Sequence, residues 1–429
     1  MNSTISRFKK NITLLWNKGA FHIFIGRFMT KFVAFFGSIF LVRVLDKSSY
    51  GVLGYIENIY GYVYIFAGMG LGNALLRYVI LGKDKIEKYS YYKYSIIRGS
   101  LINIGIVFIL LVVFMIYPHP VEFQKAKYVL LILIIALPFQ YLYDSNELTY
   151  RAMLDNKRFA ITAFLSTTLL ITSKYLGALI SGVYGVVFLK LIVYLLLGLI
   201  LSFITYRAYF KGVQAQKLSR SESSFINRYS IQYMITNGIW VIFMLNDVFL
   251  LSRITGDPSI VAEYKVAYVL PGNLSVVSSA IGIFIGPYFV KNEQNYEWVW
   301  RNYKKTIIYM VGIILPMVMI LFVFSEDFIT FLYGNQYVNI VNLMRLLLIA
   351  GFINSALRYT TAHILSSMGQ IKYNMLVSIG GVLLQIIINL IIIPIHGSVG
   401  AAVTSIIVYL LMTLALLTVF IRKYRTNHI

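Results

Sequence analysis

What most constrains this chain is a succession of apolar runs, each about 20 residues long, with short polar breaks between them. A helix of that length rises through a hydrocarbon core about 30 Å thick. In lipid, backbone N–H and C=O groups have to be satisfied within the segment itself, so such runs read as α-helices. The first six are roughly Phe21–Val42, Gly51–Leu75, Ile96–Tyr117, Tyr128–Thr149, Ala160–Ser181 and Val183–Tyr206. The second six are Phe225–Leu251, Tyr264–Val290, Thr306–Phe324, Val338–Ser366, Tyr373–Ile393 and Val399–Ile421. Only 13% of residues are charged, against roughly a quarter in soluble domains. A soluble enzyme and a disordered chain are excluded, and the absence of cysteine excludes a disulfide scaffold. The expectation is an all-α integral membrane protein with 12 transmembrane helices.

Lys and Arg number 38 against 16 Asp and Glu, a formal net charge of +22. Such an excess suits nucleic acid in principle, but its placement argues otherwise. The terminal segments and even-numbered connections hold most of it, including Arg7, Lys9, Lys10, Lys83, Lys85, Lys88, Arg207, Lys211, Arg220, Arg228, Arg422 and Arg425. The opposite loops hold Arg43, Lys47, Lys125, Lys127, Arg253 and Lys265. Cytoplasmic loops are the basic ones, so both termini are expected in the cytoplasm and no nucleic-acid partner is needed. Arg27 and Lys31 interrupt the first run and no small-residue cleavage site follows, so that span is expected to stay in the protein.

The chain also resembles itself at half its length. Tyr92–Ile97 lies over Tyr303–Ile308, Phe40–Arg43 over Leu250–Arg253, and Leu154–Phe159 over Met368–Tyr373. Gly182-x-x-Gly185 followed by Ile192–Leu196 lies over Gly397-x-x-Gly400 followed by Ile407–Leu411. The offsets drift only from 210 to 215. The expected organisation is an N-terminal six-helix lobe (1–206), a basic, Ser-rich cytoplasmic linker (207–224) and a C-terminal six-helix lobe (225–429). Six spans per half make this a parallel repeat, with the two bundles around a central cavity that receives substrate near the midplane. No HExxH, GxSxG, P-loop or DxD motif is present and the five histidines do not cluster, which argues against an enzyme and against a bound metal.

Ionisable residues inside apolar spans are costly, so function is the default hypothesis for each. Arg27 and Lys31 are four apart on one helix face, and Lys31 lies about 15 Å along the first span, too deep for easy snorkelling. With Lys174 and Arg345 they form a candidate set of cavity cations. Glu57 and Asp247 lie roughly 10 Å from the outer face, as partners for those cations or as sites of proton or sodium coupling. Asp144 and Arg358 occupy equivalent positions of opposite sign in the two halves, a candidate gate. Cations outnumber anions in the spans, and guanidinium forks bind phosphate bidentately. An anionic lipid phosphate therefore suits such a cavity and a cationic drug does not.

These residues carry a family resemblance. Phe40-Leu41-Val42-Arg43-Val44-Leu45-Asp46, Tyr50-Gly51-Val52, Gly68-x-Gly70-Leu71 and Leu76-Arg77-Tyr78 resemble the N-terminal pattern of polysaccharide transporters of the MOP superfamily. Asn246-Asp247-x-x-Leu250-Leu251, Glu263-Tyr264-Lys265-Val266-Ala267-Tyr268 and Gly286-Pro287 follow its second half; Ala262 departs from the usual glycine. Within that superfamily the chain looks like a Wzx-type O-antigen repeat-unit flippase. The resemblance implies two six-helix lobes in a V and translocation of an undecaprenyl-diphosphate-linked oligosaccharide from the cytoplasmic to the periplasmic leaflet of the bacterial inner membrane. It implies no cofactor beyond a coupling ion, and membrane lipids, a polysaccharide polymerase and a chain-length regulator as partners. An ion-coupled drug or metabolite antiporter of the same fold is the alternative.

Overall fold

The structure, a computed structural model of the 429-residue chain, describes residues 20–116, 120–124 and 126–424. Regular structure among them is helical throughout. The chain runs through α1 (Ala20–Val44), α2 (Lys47–Ile65), α3 (Leu71–Leu81) and α4 (Lys85–Ile116). It continues through α5 (Ala126–Ile135), α6 (Leu137–Ala152), α7 (Asn156–Thr205) and α8 (Arg220–Thr255). Then come α9 (Pro258–Asn273), α10 (Ser275–Lys291), α11 (Tyr296–Val323) and α12 (Ser325–Tyr333). Last are α13 (Val341–Phe352), α14 (Thr360–Ser367) and α15 (Ile371–Tyr424), with a π-helical stretch at Ile353–Tyr359. Among the described residues six helices are long and apolar enough to cross a membrane, and up to nine if each bent pair is one span.

The burial pattern is inverted relative to a water-soluble helix. In α4, Ser95, Gly99 and Asn103 are buried while Leu101, Phe108, Ile109 and Val112 are exposed. Small and polar residues pack against neighbours, and large apolar ones face outward, as lipid requires. Tyr141 fills the space over Gly99, its hydroxyl donating to the Ser95 carbonyl at 2.8 Å.

Two long helices are hairpins. α7 reverses at Ser181–Gly182 and α15 at Gly397, where Gly182 (φ 57°, ψ −133°) and Gly397 (φ 55°, ψ −132°) share one conformation. That region is closed to side chains with a Cβ. The arms then run back on themselves: a Cβ at Gly177 would meet the Gly185 carbonyl, and one at Gly400 would meet Ile392. These positions pair at the same separation in both halves as the repeat offset of 215. Gly182→Ala and Gly397→Ala are each expected to cost about 1–3 kcal/mol, seen as a lowered Tm in detergent; an unchanged Tm would count against a strained turn.

Elsewhere apolar runs that read as straight spans are broken. α2 and α3 meet at 43° through Gly68, Met69 and Gly70, all with positive φ. The bend is held by the Gly68 N–H donating to Asn103 Oδ1 at 2.7 Å and by Gly70 lying against the Ser230 carbonyl. α5 and α6 meet at 44°, with Pro138 in the first turn of α6, where its missing N–H costs nothing.

By internal contacts the chain forms two compact units. One comprises the described residues of Met1–Leu45, Tyr60–His119 and Lys125–Asn237. The other comprises Asp46–Ile59, Pro120–Gln124 and the described residues of Gly238–Ile429. The division therefore falls within α2 and within α8.

Candidate functional site

Asp247 is the centre of a buried polar network in the second unit. Its carboxylate accepts from the Tyr264 hydroxyl (2.6 Å, α9), Gln385 Nε2 (2.9 Å) and Asn389 Nδ2 (2.7 Å) on the first arm of α15, and Ser405 Oγ (3.0 Å) on the second. Gln385 and Asn389 are four apart and so share a helix face. Asn246 Nδ2 braces the Gln385 carbonyl oxygen at 3.3 Å. All four partners donate, which fills about the four lone-pair positions of an ionised carboxylate. Among the described residues the Asp247 carboxyl is thus held by neutral donors, not by the cation expected from the sequence. A cavity of about 180 Å³ adjoins it, lined by Asp247, Tyr264, Tyr268, Gln385 and Tyr409 among others.

Glu57, the other expected acid, forms an ion pair with Lys265 at 3.6 Å. The Lys265 ammonium also lies 5.6 Å from the centre of the Tyr50 ring. Beside it Lys47 pairs with Glu263, which also accepts from Asn339 Nδ2. Glu57 is therefore paired with a basic side chain of its own unit. Glu57→Lys is expected to lower stability by about 1 kcal/mol, since the pair is a quarter exposed. Adding Lys265→Glu should restore the Tm; no recovery would mean that the pair does not couple.

Asp144 accepts from the Tyr64 hydroxyl, next to a Tyr60-to-Gln140 bond of 2.9 Å. Arg358 is 3% exposed, stacks 4.4 Å from the Trp240 ring centre and donates Nη1 to Asn354 at 3.2 Å. Each is thus held inside its own unit. Arg345 donates Nε to the Phe322 carbonyl (3.2 Å) and to Ser325 Oγ (2.9 Å). It caps the C-terminal end of α11, where a cation meets the negative end of the helix dipole. Lys174 is half-buried in the first arm of α7.

Arg27 lies in α1, but its side chain falls outside the described residues. Lys31 is exposed, on the stripe Lys31–Phe35–Ser38–Val42. That stripe passes from exposed through half-buried to the fully buried Val42. The lipid-like stripe of α1 is a different one, with Phe32, Phe36 and Phe40 exposed. Lys31 thus projects from the side of the helix that packs into protein, not from its apolar outer face.

A further cationic feature comes from residues that read in sequence as topology charges, Arg220 and Arg228, and as a snorkelling cation near a span end, Arg98. Arg98 from α4 and Arg220 and Arg228 from α8 line one open cleft of about 600 Å³ with Ser224, Asn227 and Gln232. The i, i+4 spacing of Arg220, Ser224, Arg228 and Gln232 is the signal that puts them on one face. Their meeting with Arg98 is a tertiary fact.

A family model described as polysaccharide biosynthesis protein matches residues 16–293, more than half of the chain. The chain belongs to the polysaccharide biosynthesis protein family. No protein with a curated description matches it. Its fold is similar to solved transporters of the MOP superfamily. The inward closed form of the lipid II flippase MurJ aligns with a TM-score of 0.73 at 15% identity, over 94% of this chain and 89% of that one. An inward-facing multidrug resistance MATE transporter aligns at 0.71 and 14%, over 93% and 96%. A MOP transporter from Pyrococcus furiosus, described as having a binding pocket of reversed polarity, aligns at 0.61 and 14%, over 95% of each chain. The expected resemblance is borne out: the family is one of polysaccharide biosynthesis, the fold is that of solved MOP-superfamily transporters, and the apolar helices make this a multi-pass membrane protein. These structural neighbours are transporters and flippases, not enzymes. Among the described residues of this family member no group of three His, Cys, Asp or Glu residues is placed to hold a metal.

Proposed function

We propose that the protein is a flippase that carries an undecaprenyl-diphosphate-linked oligosaccharide, an O-antigen or other surface-polysaccharide repeat unit, from the cytoplasmic to the periplasmic leaflet. The polysaccharide biosynthesis family supports the substrate class, and the MOP fold supports movement by alternating access. The observation that carries the reading is Lys31, an ammonium deep in an apolar span, on the packed side of its helix and with no ion-pair partner among the described residues. In a low-dielectric chamber such a charge attracts a diphosphate strongly. Arg27, one turn away, and Lys174 are proposed to join it. Arg345, the fourth expected cation, caps α11 through Phe322 and Ser325 and would have to leave them to bind a phosphate.

The twelve-span reading is kept as part of this proposal. Each hairpin, α7 and α15, supplies two spans of about 20 residues, and α1 supplies one more beyond the bent pairs and long helices. The identical turns at Gly182 and Gly397 support a repeated six-helix lobe on either side of the 207–224 linker. Both termini are placed in the cytoplasm of an inner-membrane protein on the charge asymmetry of the loops. Asp247, buried among four donors, is the better candidate than Glu57 for coupling to protons or sodium, and Asp144 and Arg358 remain gating candidates.

Proteoliposomes offered a fluorescent polyprenyl-diphosphate oligosaccharide test the proposal. Protein-dependent movement of that lipid, without movement of a cationic dye, is the expected result. Movement of the dye alone favours an antiporter and overturns the flippase reading.

A further inference from the structure

The cleft of Arg98, Arg220 and Arg228 does not include Lys31 in its lining and has its own chemistry. No carboxylate lines it. The nearest acid on the same helix, Glu222, is occupied by the backbone N–H and hydroxyl of Ser219, at 2.8 and 2.7 Å. Arg98 is held in place: its Nη1 donates to the Tyr94 hydroxyl at 2.9 Å, and that hydroxyl donates to Asn227 Oδ1 at 3.1 Å. The Tyr94–Asn227 bond ties α4 to α8 and so fixes the distance between the arginines. Ser224 and Gln232 add neutral donors on the face that carries Arg220 and Arg228.

Ile231 lines the cleft beside the arginines, and Ile97, Leu101 and Phe225 are exposed large apolar side chains elsewhere on the same two helices. A water-soluble anion has no use for exposed apolar side chains, whereas a phosphate carried on a hydrocarbon chain uses both parts. Guanidinium forks match phosphate oxygens two at a time, and three positive charges suit a diphosphate better than a single phosphodiester.

We propose that this cleft is a second lipid-phosphate site, which captures a lipid-borne diphosphate before it reaches the Lys31 chamber. The proposal rests on the flippase reading for its role, while the binding itself does not. Two sources share the chemistry: a polyprenyl diphosphate and the bulk anionic phospholipids.

The test measures binding to the full-length protein in nanodiscs of neutral lipid, by adding undecaprenyl diphosphate, phosphatidylglycerol or inorganic pyrophosphate in separate arms. Saturable binding of undecaprenyl diphosphate, competed by pyrophosphate, is expected. Each of Arg220→Gln and Arg228→Gln should weaken it about ten-fold, and Arg98→Gln similarly. Lys31→Ala should leave this binding in place while stopping flipping, which separates the two sites. Equal binding of phosphatidylglycerol supports the site with bulk lipid as its source. Unchanged affinity in all three arginine variants, with each folded by its Tm, overturns the proposal even if the protein proves to be a flippase.

Discussion

Replacing Arg27 and Lys31 together with alanine is expected to remove lipid-diphosphate flipping, by about two orders of magnitude or more, with little change in Tm. The size follows from the physics of the site: each charge-assisted bond to a phosphate contributes about 1.5–3 kcal/mol, and the low dielectric of a chamber inside the bilayer strengthens both. The small stability change follows from exposure. Lys31 is exposed and supports no packing, so truncating it creates neither a cavity nor an orphaned partner. Flipping in reconstituted vesicles and melting in detergent are the two readouts. Lys31→Arg should retain substantial flipping, because it keeps the charge at the same turn of α1.

The second large effect is on stability. Asp247→Leu is expected to destabilise the fold by about 3 kcal/mol or more, because it removes the common acceptor of Tyr264, Gln385, Asn389 and Ser405. Each buried donor left without a partner costs about 1–3 kcal/mol; the two hydroxyls can rotate toward other acceptors, and the two amides are less free. Asp247→Asn keeps the shape but points an NH₂ at groups that are themselves donors, so it should cost less than Leu and more than a surface change. Thermal melting of the three proteins orders them. If coupling runs through this carboxylate, Asp247→Asn should also abolish any dependence of flipping on a proton or sodium gradient. A Tm for Asp247→Leu equal to that of the unsubstituted protein would contradict the network.

The sequence makes the helices and their membrane setting legible because lipid imposes one requirement on every span, namely length and apolarity. The hairpin turns were legible too, since Gly182 and Gly397 recur in matched surroundings and only glycine fits their backbone. The break between α2 and α3 was not, because Gly68-Met69-Gly70 is as apolar as a continuous span and only its left-handed backbone ends the helix. Side-chain roles were legible as exceptions to the apolar pattern, but partners were not. Nothing in spacing joins Asp247 to residues 17 to 158 positions away. Nothing local tells that Arg345 caps α11 or that Glu57 meets Lys265. Arg220 and Arg228 were visible as charge that loop topology alone explains; their i, i+8 spacing on one face is in the sequence, while their meeting with Arg98 is a tertiary fact.

In the flippase proposed here, Lys31 faces a water-filled chamber and meets a diphosphate there. Because the chain has no cysteine, a single Lys31→Cys substitution introduces the molecule's sole thiol. The most direct measurement is the rate at which a membrane-impermeant thiol reagent labels that position in reconstituted vesicles, with and without undecaprenyl-diphosphate oligosaccharide. Labelling that is rapid alone and slowed several-fold by the lipid-linked sugar is the predicted result. A thiol that resists the reagent as a lipid-buried group does, or that reacts at one rate whether or not the substrate is present, would contradict it.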